Sequence, residues 1–136
     1  MPGKRIILET NIWISFLISS NHSKLDSLLE SGEFILLFSN ESMEEFLEVT
    51  RRPKFKRFFS KKDVTKLLET IDAFAELILI ESDVSLCRDE KDNFLLNLAI
   101  DGKADYLVTG DHDLLALKKV KTTRILTFSR FIEMTE

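Results

Sequence analysis

Short apolar runs alternate with stretches of helical periodicity along the whole chain. Runs of aliphatic and aromatic residues predict buried strands at 5–8, 34–38, 77–80 and 106–108, and a last strand is expected at 125–126. Between these runs, apolar residues recur every three or four positions, as they do on one face of a helix. Strands that alternate with helices form parallel sheets whose two faces are both covered. The pattern therefore predicts an α/β domain with helices on both sides of its sheet.

Start and stop signals along the chain place the predicted helices. A first apolar stripe carries Trp13 and Phe16, and Ser39 or Asn40 can cap a helix that Pro53 ends. The other predicted helices lie at 25–29, at 61–77, from Asp89 or Asp92 to Gly102, at 113–117 and in the last residues of the chain.

Composition limits the size and compartment of the protein. The 136 residues, 44% of them hydrophobic and 31% charged, suit one compact domain over 1–136. Cys87 is the only cysteine, which excludes an internal disulfide and favours a reducing compartment. The apolar run after Arg5 is too short for a signal peptide or a membrane span. We therefore expect a cytoplasmic protein without membrane contact.

Acidic side chains follow two of the predicted strands. Glu9 comes directly after the first strand, and Asp111 follows the fourth, with Asp113 two residues later. Asp92 lies at the start of a helix, and Glu45 lies inside the helix after the second strand. Ligand sites of open α/β sheets lie beyond the C-terminal ends of the strands. These side chains could therefore converge on one pocket.

Clustered carboxylates repel one another, and one takes up a proton unless a cation balances them. A hard divalent ion with oxygen ligands, Mg²⁺ or Mn²⁺, is the natural partner. The chain has two histidines and one cysteine, which support a zinc site poorly. Such a cluster with its ion can activate water and stabilise the charge that develops on a phosphate during hydrolysis.

Each acid also has a plainer interpretation. Asp92 could be a simple N-cap, Glu45 a solvated helix residue, and Asp111 with Asp113 could shape a turn. Glu9 is the hardest to dismiss, because an acid directly after a buried strand must be paired, hydrated or bound to something. Only these acids taken together favour a metal site.

The order of these motifs resembles the PIN-domain family. The resemblance covers the whole chain: a strand leading into E-T-N, a helix with an internal Glu45, then D-E-K-D-N-F-L-L-N-L-A and A-D-Y-L-V-T-G-D-H-D-L-L. It is strongest with the toxin components of bacterial and archaeal toxin–antitoxin pairs. The resemblance implies a three-layer α/β/α sandwich with a central parallel sheet of four or five strands.

The same resemblance implies a Mg²⁺- or Mn²⁺-dependent endoribonuclease that cleaves single-stranded RNA, with an antitoxin protein and a second copy of the chain as partners. The family's site residues fall on these positions of the chain: Glu9, Glu45, Asp92 and Asp111 as metal ligands, with Asp113 assisting and Asn11 and Thr109 orienting the acids or the water.

Glu9 departs from the family pattern, which has aspartate at that position. The extra methylene displaces the carboxylate by about 1.5 Å, one carbon–carbon bond. Because Mg²⁺ tolerates little geometric error, a misplaced ligand would weaken binding or favour a more permissive ion. The alternative is therefore a weak or inactive PIN-like module that binds RNA or a protein partner.

Net charge is −4, but the charges are unevenly distributed. Residues 51–62 hold seven basic side chains and no acid, interleaved with phenylalanines that belong either to an RNA-stacking surface or to the core. The run at 118–121 is interpreted as solvated, and His112 as a variable loop position that could donate to a phosphate. The candidate RNA contacts are Arg51, Arg52, Lys54, Lys56 and Arg57.

A phosphoacceptor signalling domain also gathers acids at the edge of a parallel sheet. It requires paired acids near the end of the first strand and a lysine after the last one. This chain has a single acid in the E-T-N turn, and Arg124 and Arg130 flank the last strand. The sequence therefore favours the nuclease over this alternative.

Overall fold

A computed structural model describes residues 3–18, 31–54, 75–86 and 92–135, together with single positions between 62 and 73. Six strands form one sheet: β1 (Lys4–Leu8), β2 (Phe34–Phe38), β3 (Ala75–Leu77), β4 (Tyr106–Val108), β5 (Lys119–Val120) and β6 (Thr123–Leu126). Their order across the sheet is β3-β2-β1-β4-β6-β5. β2 and β3 lie on one side of β1, and the chain then returns to add β4, β6 and β5 on the other side, so strand order reverses at β1.

Five of the six strands are parallel, and β5 alone pairs antiparallel with its neighbour β6. The predicted parallel α/β sheet is confirmed. The predicted count of four or five strands misses β5, because this strand has only two residues and leaves no pattern of its own.

The described helices are α1 (Thr10–Ile18), α2 (Asn40–Thr50), α3 (Asn93–Asp101), α4 (His112–Leu115) and α5 (Phe128–Thr135). Ser39 caps α2, because its side-chain oxygen accepts a hydrogen bond from the Ser42 N–H at 3.1 Å. The helix ends at Thr50, three residues before Pro53. The helix predicted at 25–29 lies outside the described residues. No described helix is both long and apolar enough to cross a membrane.

The side chains of β1 point alternately to the two faces of the sheet, and each face has its own layer of the hydrophobic core. Ile6 and Leu8 pack on one face of the sheet with side chains of α1, α2 and α5, such as Trp13 and Phe131. Ile7 points to the other face, where residues of α3 and α4 cover it. This period-2 pattern gives a sheet that is buried on both sides. The structure is the predicted three-layer α/β/α sandwich.

The third strand was predicted two residues too late. The sequence predicts a helix up to Leu77 and a strand at 77–80, whereas the structure has the strand at Ala75–Leu77. Its register sets Ala75 against Leu36 and Leu77 against Phe38, after which the Ile78 N–H donates to the Phe38 carbonyl at 2.7 Å. The prediction failed because the apolar run from residue 74 to residue 80 fits a helix end and a strand equally well.

Candidate active site

Glu9 and Asp111 follow neighbouring strands and lie at the same edge of the sheet. Leu8 of β1 is paired with Val108 of β4, and the Glu9 N–H donates to the Val108 carbonyl at 3.0 Å. The Glu9 carbonyl accepts from the N–H groups of Ile12 and Trp13, at 2.9 and 3.2 Å, where α1 begins. The sheet and the first turn of α1 therefore both fix the backbone of Glu9.

Thr109 connects the two acids. Its fully buried hydroxyl donates a hydrogen bond to the Glu9 Oε2 atom and accepts one from the Asp111 N–H at 3.0 Å. The Thr109 N–H donates to the Leu126 carbonyl at 3.0 Å, which fixes the threonine on β6. Asn11 reaches Glu9 from the other side, with 3.3 Å between its Nδ2 atom and Oε1. The Glu9 carboxyl group is therefore held at both oxygens.

Burial raises the pKa of the Glu9 carboxyl group above its ordinary value, because only 7% of the residue is exposed. Hydrogen bonds from Thr109 and Asn11 favour the ionised form and oppose this rise, whereas the negative charges of Asp111 and Glu45 add to it. Three carboxylates therefore act on one another across the site. A bound cation would relieve both the burial and the repulsion.

Asp92 reaches the same site from the start of α3. A hydrogen bond with Asp92 is the main cause of the lowered pKa of Asp111, and the Asp113 N–H and the charge of His112 lower it further. The carboxyl groups of Asp92 and Asp111 therefore interact across the same cleft.

The interpretation of Asp92 as a plain N-cap is wrong. Asp92 precedes α3 with helical backbone angles, φ −92° and ψ −7°, and its side chain makes no capping hydrogen bond. A capping side chain needs extended backbone angles to reach the N–H groups of the first turn. By contrast Asp111 does cap α4, because its Oδ1 atom accepts from the Asp113 N–H at 3.1 Å.

An open cleft of about 580 Å³ lies over these groups. It is lined by Glu9, Asn11, Ile12, Asp92, Gly110, Asp111 and His112. Glu45 is not part of this lining and acts on Glu9 through its charge, and Asp113 contributes its backbone N–H to Asp111. No pattern in the sequence singles out Ile12 and Gly110, which line the cleft because of their neighbours.

Apart from the imidazole of His112, the donors that line the cleft are carboxylate and amide oxygens, a set that fits a hard divalent cation better than zinc. Within the described parts of the chain, no three His, Cys, Asp or Glu side chains are already arranged to hold a metal ion. The acids therefore share one cleft without forming a complete ligand cage. Their chemistry fits the metal that the sequence predicts.

The basic segment lies apart from this lining. Arg51, Arg52 and Lys54 are exposed beyond the end of α2, and an ion pair of 3.2 Å joins Arg52 to Glu48. Lys56 and Arg57 lie outside the described residues. RNA binding by this segment stays a prediction.

Comparison with known proteins agrees with this fold. An uncharacterized protein of Methanocaldococcus jannaschii, MJ1680, is 27% identical over 117 residues, which cover 84% of this chain and 75% of that protein. A solved structure, VapBC2 from Rickettsia felis bound to a DNA fragment from its promoter, has a similar fold with a TM-score of 0.55. It is 16% identical, and the match covers 89% of this chain and 96% of that one. The family model for the PIN domain matches residues 5–113. The protein therefore belongs to the PIN-domain family.

Proposed function

We propose that this protein is a Mg²⁺- or Mn²⁺-dependent endoribonuclease that cleaves single-stranded RNA in the carboxylate cleft. One observation carries the proposal: Thr109 holds Glu9 and Asp111 side by side, and Asp92 contacts Asp111 at the same open cleft. An acidic pocket without a cation would repel a phosphodiester, so these acids suit a nucleic-acid substrate only as metal ligands. Membership of the PIN-domain family supports the nuclease class.

Each residue has a defined role in the proposed site. Glu9, Asp92 and Asp111 would hold the ion, whose chemistry is to polarise the phosphodiester and to lower the pKa of water. Glu45, which the sequence predicts as a fourth ligand, lies outside the lining of the cleft and would contribute its negative charge beside Glu9. Thr109 keeps Glu9 and Asp111 in register through its two hydrogen bonds, and Asn11 orients the Glu9 carboxylate. The Asp113 N–H orients Asp111 in the same way.

Cleavage of labelled single-stranded RNA tests the proposal directly. Purified protein should cleave with Mg²⁺ or Mn²⁺ and stop when a chelator is added. Asp92→Asn and Asp111→Asn should each lower the rate of RNA cleavage by more than about 100-fold. Substitution of residues that only orient metal ligands usually costs less than this. Glu48→Gln is the matched control, because it neutralises an exposed acid that pairs with Arg52. Cleavage that persists in both aspartate variants would assign the activity to a contaminant.

A second candidate is a PIN-like module that binds without cleaving, and Glu9 favours it. Both carboxyl oxygens of Glu9 already accept hydrogen bonds from the protein, which competes with ligation. Titration calorimetry with Mn²⁺ separates the two candidates. The nuclease should bind the ion below millimolar concentration, whereas the module should not. Glu9→Asp should leave a working nuclease active, and a gain of activity only in this variant would favour the module.

We further propose that a small antitoxin protein restrains the activity in the cytoplasm. The structural likeness to the VapBC2 assembly supports this proposal. Co-expression with the product of a neighbouring reading frame should yield a complex in which RNA cleavage is inhibited. Light scattering would test the expected homodimer. The phosphoacceptor alternative is dropped, because the chain belongs to the PIN-domain family.

A further inference from the structure

A second cleft, of about 600 Å³, lies along β6. We call it the basic groove; it is lined by Lys118, Lys119, Arg124, Ile125, Leu126, Thr127 and Arg130. Four of these seven residues are cationic and none is acidic, although the chain as a whole carries a net charge of −4. The sequence alone suggests that the two lysines of the groove, in the run at 118–121, are simply solvated. The fold instead groups them with two arginines that lie farther along the chain.

The β5–β6 hairpin directs the cations of the basic groove outward. Val120 and Thr123 are opposite each other and buried, and the Thr123 hydroxyl donates to the Ala104 carbonyl at 2.6 Å. Side chains alternate between the two faces of a strand, so the next pair, Lys119 and Arg124, lies on the exposed face. The hairpin thereby sets two positive charges directly against each other.

This arrangement has no internal compensation among the described residues. Like charges directly opposite on neighbouring strands are destabilising. The two described ion pairs occupy Arg5 and Arg52, and no acid of the described chain pairs with Lys119, Arg124 or Arg130. An anionic ligand would remove the repulsion. The basic groove therefore favours a ligand that presents several negative charges in a row.

One end of the basic groove, at Thr127, lies at the same edge of the sheet as the carboxylate cleft, and Arg124 lies three residues back along β6, opposite Tyr106. Leu126 is paired with Val108, and Val108 with Leu8, so β1, β4 and β6 end in step. Thr127 of the groove consequently lies two strands from Glu9, at about 10 Å given the usual spacing of neighbouring strands. A few nucleotides span this distance. The groove is thus placed to hold the part of a polyanion that extends beyond the cleft.

We infer that the basic groove binds the sugar–phosphate backbone of single-stranded RNA next to the cleaved bond, with Lys119, Arg124 and Arg130 as phosphate contacts. The inference rests on the proposed function for the identity of the substrate. Its physical basis is charge: the acids that hold a metal repel the flanking phosphates, and cations within a few nucleotides offset that repulsion.

Binding measured without cleavage tests the inference separately from the nuclease. Full-length protein carrying Asp92→Asn is titrated into a fluorescent single-stranded RNA, and anisotropy is recorded at several salt concentrations. The further variant Arg124→Gln/Arg130→Gln should weaken binding about tenfold and reduce the salt slope by about 1.4, since each phosphate contact on a single strand contributes about 0.7. The matched control is Lys103→Gln/Lys121→Gln, which removes the same charge from two exposed lysines that line neither the basic groove nor the carboxylate cleft.

The outcomes are distinct. A loss confined to the groove variant supports the inference. Unchanged affinity and salt slope in the groove variant would mean that these cations only protect the edge of the sheet. An equal loss of affinity in the control variant would mean that net charge governs RNA binding. Either result overturns the inference. Absence of RNA binding by the parent protein also overturns it. If the groove variant does not fold, Lys118→Gln/Lys119→Gln replaces it. Absence of metal-dependent cleavage, measured separately, would contradict only the proposed function.

Discussion

The carboxylate cleft and the Thr127 end of the basic groove lie at one edge of the sheet, yet the two regions are built in opposite ways. Glu9 and Thr109 at the cleft are buried and fixed by hydrogen bonds. By contrast, Lys119 and Arg124 of the groove are exposed and lie opposite each other, and neither has an acidic partner in the part of the chain that the structure describes. A group that takes part in a reaction must be held in place, because small displacements are costly. A group that holds a flexible polyanion gains from freedom to adapt.

The difference predicts which measurable quantity each region controls. Substitutions in the cleft should lower turnover, and several should also lower stability, because the polar groups there are buried. Substitutions in the groove should change affinity and its salt dependence, with turnover and stability nearly unchanged.

After the aspartate variants of the proposed metal ligands, the largest effect is expected from Thr109→Val. The change removes a buried hydroxyl that donates to Glu9 and accepts from the Asp111 N–H. Loss of these hydrogen bonds should lower the free energy of unfolding by about 1–3 kcal/mol. It should also lower the rate of RNA cleavage by about 10- to 100-fold. Chemical denaturation and RNA cleavage rates measure the two effects.

Thr123→Val is the matched control for that prediction. Thr123 is also buried, and its hydroxyl donates to the Ala104 carbonyl, away from the cleft. This variant should lose stability but keep its turnover per folded molecule. Equal loss of turnover in both variants would mean that Thr109 acts only through stability.

A smaller effect is expected from Arg124→Gln/Arg130→Gln in the cleavage-competent protein. Because these side chains line the basic groove and not the cleft, KM for RNA should rise about tenfold at low salt and kcat should stay constant. Initial rates over a range of RNA concentrations separate the two constants. A fall in kcat with unchanged KM would place the arginines in the catalytic step.

The smallest effect is expected from Asp101→Asn, which lies outside both regions. Its carboxylate accepts hydrogen bonds from the Ser82 hydroxyl and from the N–H groups of Ser82 and Glu81, and these bonds lower the pKa of Asp101. The substitution should cost at most about 1 kcal/mol, because interactions of exposed charges are screened.

The pH dependence of this cost has a definite sign. Because the pKa is lower in the folded protein than the ordinary value of 3.8, the stabilisation is complete well above that value and is lost as the pH falls through the folded pKa. Unfolding measured from pH 7 into the acid range should show the difference between the two proteins shrink as the pH falls below 3.8. A constant difference would mean that the charge of Asp101 contributes nothing.

The carboxylate cleft could largely be predicted from the sequence. Glu9 and Asp111 each follow a buried apolar strand, and the C-terminal ends of parallel strands meet at one edge. Thr109 was recognised as a polar position, but its two hydrogen bonds depend on the register between β1 and β4. The conformation of Asp92 also depends on packing, which no local signal reports.

The basic groove could not be predicted in the same way. Its cations belong to a hairpin whose first strand has two residues, and to the start of α5. These cations share one exposed face only because Lys119 pairs with Arg124. The neighbouring pair, Val120 and Thr123, is buried on the opposite face. The run at 51–62 has a stronger signal in the sequence, yet its described members do not line the cleft. A count of charges along the chain does not give their positions in space.

The most direct test is diffraction from a crystal soaked in Mn²⁺ and measured at the manganese absorption edge. The proposed nuclease predicts an anomalous peak within ligand distance of Glu9, Asp92 and Asp111. A site without density at millimolar Mn²⁺, or an ion bound only elsewhere on the protein, would contradict it.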